Sequence, residues 1–227
     1  MRLRKKKNAG VRFERCADYT METAGLLDRF WEHFDEEKPL DMEIGSGKGR
    51  FIVTLAEQNP DRQYISIERV IDCLVMAMEK ARNKELHNIR FFCMDAAELT
   101  ECFPAKSIDT LYLNFSDPWP KARYAKRRLT HRRMVAAYLP LLKEGGKICF
   151  KTDNRPLFDF SVEEFTEIGF RLTELTYDLH STDTPNIMTE YEERFSSMGV
   201  PINRFVAYPT EKTYKMLEGT KLLKDDR

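Results

Sequence analysis

Apolar residues recur along this chain with two alternating periods. Leu26, Leu27, Phe30, Trp31 and Phe34 fall at helical spacing and predict a helix with all five turned to a core, Trp31 included, ended by Pro39. LDMEI (Leu40–Ile44) then reads as a strand, which GSGKGR breaks into a turn opening a helix over FIVTLAEQ. QYISIE predicts a second strand and Val70–Arg82 a long helix, with IRFFC and IDTLYLNF as the third and fourth strands. A helix carrying Met134, Ala137, Tyr138, Leu141 and Leu142 inward is expected to stop at Gly145-Gly146, before a fifth strand, KICFKTD. GFRLTELTYDL and NRFVAYP predict two more strands, paired as a hairpin. Between them STDTPNIMTEYEERFSSMG is polar and turn-rich, with a helical start near Thr189.

Strand alternates with helix five times, at spacings that suit right-handed βαβ units. The expected fold is α/β, a mostly parallel seven-stranded sheet with an antiparallel edge hairpin and helices on both faces. A chain of 227 residues suits one domain, placed at 21–217, between a basic N-terminal tail (1–20) and a C-terminal tail (218–227). Ligands of such sheets bind outside the carboxyl ends of the strands. The residues there are Gly45–Gly49, Glu68, Asp95, Ser116–Pro118 and Asp153, so four acids should gather along one edge.

Charge changes this picture only locally. Thirty-seven basic residues balance 37 acidic ones, so net charge predicts no partner. The five cysteines form no Cys-x-x-Cys pair and do not cluster with the four histidines, which argues against a disulfide framework and against a bound metal. Cys93 and Cys149 lie in apolar runs and are expected to be buried. The basic start is followed by no apolar segment of a signal peptide, and no run approaches the ~20 apolar residues of a membrane span. A soluble cytoplasmic protein is expected.

The glycine loop is informative through its spacing. A phosphate-binding loop needs Gly-Lys-Ser/Thr at its end, but Gly49 follows Lys48; a dinucleotide fingerprint needs glycine where Arg50 stands. Glu68, about twenty residues on, is placed to accept from ribose hydroxyls, and Asp95 from an adenine amine. Glu43 beside the loop would oppose a pyrophosphate and tolerate a cationic sulfonium or amine. The plain alternative for each acid is a helix cap. In order, EIGSGKG, SIE, MDA and SDPWP resemble the Rossmann-like class I S-adenosylmethionine-dependent methyltransferases, which implies S-adenosylmethionine as cofactor.

The fourth strand runs into LYLNFSDPWPKARYAKRRLTHRR. Pro118 and Pro120 are expected to hold Asp117 and Trp119 extended, an acid beside a flat ring, as a planar base requires. Lys121, Arg123, Lys126, Arg127, Arg128, Arg132 and Arg133 follow with no acid among them. A charge run is often a solvated face, but this one abuts the presumed active edge and suits RNA phosphates. His131 is expected at the surface or facing the RNA.

NFSDPWPKARYAKRRL, with EIGSGKG, KTDN and TEYEERF, is similar to the bacterial tRNA (guanine-N7)-methyltransferases, from about Gly10 to Pro209. Tyr124 departs from the family's frequent His. The resemblance implies that Glu43, Glu68, Asp95 and Asp117, with Gly45 and Gly47, contact S-adenosylmethionine, and that Asp117 is catalytic. It assigns Lys121, Asp153, Thr189, Glu190, Tyr191 and Glu192 to the substrate nucleotide, and Arg123, Tyr124, Ala125, Lys126, Arg127 and Arg128 to tRNA. The implied product is 7-methylguanosine at position 46 of the tRNA variable loop. Rival readings are a methyltransferase for an exocyclic amine or a protein, and an RNA-binding module with a vestigial cofactor site. Monomer and homodimer both remain open.

Overall fold

Seven strands form one sheet in the computed structural model, which describes residues 9–218. They are β1 (Leu40–Ile44), β2 (Gln63–Ile67), β3 (Ile89–Phe92), β4 (Ile108–Asn114), β5 (Leu142–Thr152), β6 (Arg171–Thr176) and β7 (Asn203–Tyr208), in the spatial order β3-β2-β1-β4-β5-β7-β6. The helices are α1 (Ala9–Glu14), α2 (Leu26–His33), α3 (Arg50–Gln58), α4 (Ile71–Asn83), α5 (Leu99–Cys102), α6 (Arg132–Tyr138), α7 (Arg155–Glu167), α8 (Glu190–Ser196) and α9 (Glu211–Leu217). Among these strands β7 alone runs against its neighbours, β5 and β6. The expected sheet is therefore present, with its antiparallel pair at the edge. Residues 177–202, rather than a tight turn, join that pair.

The alternation in LDMEI accounts for the layers. Leu40, Met42 and Ile44 enter a core with Phe30, Phe103 and Phe158. Asp41 and Glu43 point to the other face, as the two-residue period of a strand requires. Phe51, Val53, Leu74 and Met78 of α3 and α4 make the core of that second layer. All five β1 residues are buried because helices cover both faces of a central parallel strand. Asp41 is tolerated there because Arg62 donates to both its oxygens, at 2.7 and 3.1 Å.

Several sequence expectations are corrected. Trp31 is not core: α2 buries Leu26 and Phe30 on a stripe continued by Phe34, while Leu27 and Trp31 fall on its exposed flank. Trp31 lies edge-on against Phe30 at 4.8 Å. The helix before β5 ends at Tyr138, since Pro140 has no N–H to continue it. Leu141 belongs to a 3₁₀ turn (Leu139–Leu141), Leu142 opens β5, and Gly145-Gly146 lies within that strand. Cys93 is exposed because β3 ends one residue earlier, and Cys149 is only half-buried.

The boundary at residue 21 also moves. α1 packs on α4, where Arg12 pairs with Glu79, and Cys16 and Tyr19 are buried in the second core. Thr20 donates its hydroxyl to the Phe91 carbonyl at 2.7 Å. Residues 9–20 thus belong to the domain. The RLRKKK stretch of the expected tail and residues 219–227 lie outside the described residues. No described helix is long and apolar enough to cross a membrane.

Candidate active site

The strand order reverses between β1 and β4, and open α/β sheets bind their ligands at such a switch point, beyond the carboxyl ends of these two strands. The glycine loop leaves β1 at this point. Gly45 and Ser46 donate their N–H groups to the Ile67 carbonyl at 2.8 and 3.2 Å, and Gly47 donates to Glu68 Oε2 at 2.8 Å. Glu68 Oε1 accepts from the Val70 N–H at 2.7 Å, so this acid braces the loop and keeps lone pairs for a ligand. Gly47 has φ 57°, and a Cβ there would meet no atom within 4 Å. Gly49 answers a different need: its Cβ would stand 2.3 Å from that of Ala77, so glycine lets α3 and α4 approach.

Glu43 is buried at the end of β1. Asn114 donates to its Oε1 at 2.7 Å, while Oε2 is buried with no partner. Burial pushes this carboxyl up to about 7, against the opposing pull of Asn114 and Lys151. An unpaired buried oxygen behind an open glycine loop suits the cationic end of an amino-acid sulfonium. Asp95 accepts from the Ala97 N–H at 3.0 Å and so caps a 3₁₀ turn (Ala96–Glu98), with Arg69 3.6 Å from its other oxygen. These acids end β1, β2 and the segment after β3, on adjacent strands, and the residues present fit S-adenosylmethionine in charge and in open space.

Past β4 the chain is strained and then fastened. Phe115 has φ 52° and donates its N–H to the Lys151 carbonyl at 2.9 Å. Trp119 is not extended as expected but left-handed, at φ 41°, although a residue before proline disfavours helical conformations. Arg128 holds it there, donating to the carbonyls of Pro118 (3.0 Å) and Trp119 (3.1 Å) while lying 4.3 Å over the Phe160 ring. Asp117 is exposed beside this loop.

The basic run divides by role. Arg127 stacks over Trp119 and Tyr124, both at 5.1 Å, and Arg123 over Tyr124 at 4.8 Å. Lys121, Arg123, Lys126 and Arg127 are exposed on this one turn, with Tyr124 and Ala125 half-buried beneath. Arg132 instead turns to α7, bonding Glu164 at 2.8 Å and pairing with Glu167. His131, expected at the surface or facing the RNA, is half-buried. Its Nδ1 accepts from the Arg133 N–H at 3.1 Å as the cap of α6, and burial lowers its pKa.

Helix α8 docks beside the glycine loop and the end of β5. Thr189 caps it, accepting from the Glu192 N–H at 2.9 Å, with Glu192 reaching back in a capping box. Its acids reach three elements: Glu190 pairs with Lys80 of α4, Glu193 with Arg50 of α3, and Glu192 with Lys151 of β5. Lys80 also donates to the Lys48 carbonyl at 2.8 Å, tying α8 to the glycine loop. Tyr191 stacks on Phe195 (4.2 Å), leans on Phe115 (5.2 Å) and donates to Asp153 Oδ2 at 3.3 Å. Thr189–Glu192 and Asp153 are thereby joined to the end of β4.

A family model described as "Putative methyltransferase" matches residues 37–205. The tRNA (guanine-N(7)-)-methyltransferase of Lachnoclostridium phytofermentans is 50% identical over 194 residues, 84% of this chain and 91% of that protein. The chain belongs to this family. Its relative of the same name in Bacillus velezensis is 44% identical over 206 residues, covering 90% of this chain and 95% of the relative. Solved structures with the same fold include an antibiotic-related methyltransferase (TM-score 0.61, 18% identity, 82% of this chain and 93% of that one). Another is the 16S rRNA methyltransferase KamB (TM-score 0.59, 14% identity, 79% and 91%).

Asn114, Phe115, Lys80 and Lys151 are the residues of this site that the sequence did not point to. Lys151 did carry a signal: a cation directly after the apolar Ile148-Cys149-Phe150 of KICFKTD calls for an acid partner, and TEYEERF offers three. Asn114 and Phe115 carried none, because their roles arise from register and backbone geometry.

Proposed function

We propose that the protein transfers the methyl group of S-adenosylmethionine to N7 of guanosine 46 in the tRNA variable loop. The observation that carries this reading is the short span from Ser116 to Arg128, which sets an exposed acid beside an exposed basic turn at the sheet's switch point. Family membership supplies the reaction class. Glu68 holds the ribose, Asp95 the adenine amine, and Glu43 with Gly45 and Gly47 the cationic amino-acid end. When bound, S-adenosylmethionine supplies an electrophilic methyl group.

N7 of guanine has a free lone pair and no proton, so no residue has to act as a base before attack. The protein's task is alignment, which lowers a barrier by roughly 7–11 kcal/mol at best. As the N–CH₃ bond forms and the S–CH₃ bond breaks, positive charge passes from sulfur to the purine. Asp117 accepts from the Watson–Crick N–H groups of guanine and offsets that charge, with Asp153 beside it. Lys121, Arg123 and Arg127 meet RNA phosphates. Incubation with labelled S-adenosylmethionine and unmodified tRNA, followed by nucleoside analysis, should return 7-methylguanosine; a methylated exocyclic amine would refute the assignment.

A further inference from the structure

The three ion pairs that dock α8 differ in kind. Arg50–Glu193 and Lys80–Glu190 are each a third or more exposed, where solvent and salt screen them. Lys151–Glu192 is buried on both sides, 5% and 0% exposed, with Nζ 2.6 Å from Oε2. Every donor of Lys151 is used: the other two go to Asn186 Oδ1 at 2.9 Å and the Ile187 carbonyl at 2.8 Å. Glu192 is equally occupied. Its Oε1 accepts from Asn186 Nδ2 at 2.6 Å and lies 3.1 Å from His180 Nε2, and the Thr189 N–H reaches Oε2 at 3.4 Å. The ammonium also sits 5.0 Å over the Phe51 ring and 5.9 Å from that of Phe115. One buried cation therefore gathers the strand end, the segment 186–192 and the aromatic residue that precedes Ser116-Asp117.

A buried ion pair is a poor device for stability, since apolar residues of the same volume often serve as well or better. What it supplies is a single arrangement, because neither charge can be left unpaired. We propose that Lys151 and Glu192 are positioning residues for the transfer: the pair fixes α8, and through it Tyr191 and Phe115, against the Asp117–Asp153 edge. Glu192 acts on the nucleotide through Lys151 and the helix rather than by touching it. This rests on the reading of that edge as the guanosine site. Tyr191 is the link, since its ring meets Phe115 and its hydroxyl meets Asp153. Small misplacements of a reacting group suffice to matter, about 1 Å costing on the order of 100-fold in rate.

The test compares Glu192→Gln, Lys151→Met and the double variant, which leaves no charge unpaired and carries the test if a single variant fails to fold. Turnover should fall about 30–100-fold, with the KM for tRNA and the Kd for S-adenosylmethionine within about threefold of wild type. The double variant should be no worse than the poorer single one, as residues acting as a unit behave. In the ligand-free protein, amide exchange should accelerate over residues 186–196 and stay unchanged in β1 and β4. A folded double variant with wild-type turnover, or a loss of tRNA binding at unchanged turnover, would overturn the proposal. If wild type itself makes no 7-methylguanosine, the functional reading fails instead, and the exchange data still decide whether the pair fixes α8.

Discussion

Glu43 is buried in β1 with one oxygen bonded to Asn114 and the other unpaired. Its folded pKa, about 7, stands above the ordinary 4.5, so the native state binds the proton more tightly than the unfolded chain. Stability therefore falls as pH rises from about 4.5 through 7. Glu43→Gln should remove that fall: thermal melts should coincide with wild type near pH 4.5 and show the variant more stable above pH 7, by up to roughly 3 kcal/mol. On the proposed reading of the site, the same variant should bind S-adenosylmethionine more weakly by calorimetry, because it removes the carboxylate offered to the ligand's cationic end. Asp117 makes the contrasting case. It is exposed, so Asp117→Ala should leave the melting temperature within a degree or two while turnover drops by about 100-fold or more. Wild-type turnover in that variant would remove Asp117 from the chemistry.

Among the elements, the glycine loop and α8 are bridged by Lys80 and obey different constraints. Gly49 is demanded by packing, whereas Gly47 has a left-handed φ and open space beside it. Gly49→Ala should destabilise the fold by about 2–4 kcal/mol in denaturant titrations, since it joins a backbone clash at Ala77 to a left-handed φ. Gly47→Ala has open space before it and should lose only about 1 kcal/mol of stability, with its larger effect on cofactor affinity. The strands and most helices were legible in the sequence because burial imposes a period. LDMEI, QYISIE and IDTLYLNF became β1, β2 and β4, and Thr189 began a helix as its spacing to Glu192 suggests. Trp31 misled because local pattern does not say how wide a helix's buried stripe is, whereas the helix end before Gly145-Gly146 was legible in Pro140, a stop signal that the apolar spacing of Leu141 and Leu142 overrode. The left-handed Trp119 was hidden for a similar reason: its conformation is set by Arg128, nine residues away.

At the scale of the whole molecule, zero net charge conceals a division. Arg128 and Arg132 are spent within the protein, on loop carbonyls and on Glu164, whereas Arg123 and Arg127 lie exposed on the turn after Pro120. tRNA affinity should therefore weaken with salt, and removing Arg123 and Arg127 should flatten the log–log slope by about 0.7–0.9 for each phosphate they neutralise. Arg132→Ala should instead lower the melting temperature and leave that slope alone, which titrations at several salt concentrations would separate. Composition could not reveal this partition; it depends on which elements the fold brings beside each cation. In the proposed function one nitrogen of one nucleotide receives the methyl group. This is tested most directly with two tRNAs, one unmodified and one carrying 7-deazaguanosine at position 46, assayed for labelled methyl transfer and for binding. Transfer to the first and none to the second is expected, with both bound alike; label appearing on the 7-deaza tRNA would rule out N7 of that guanosine as the acceptor.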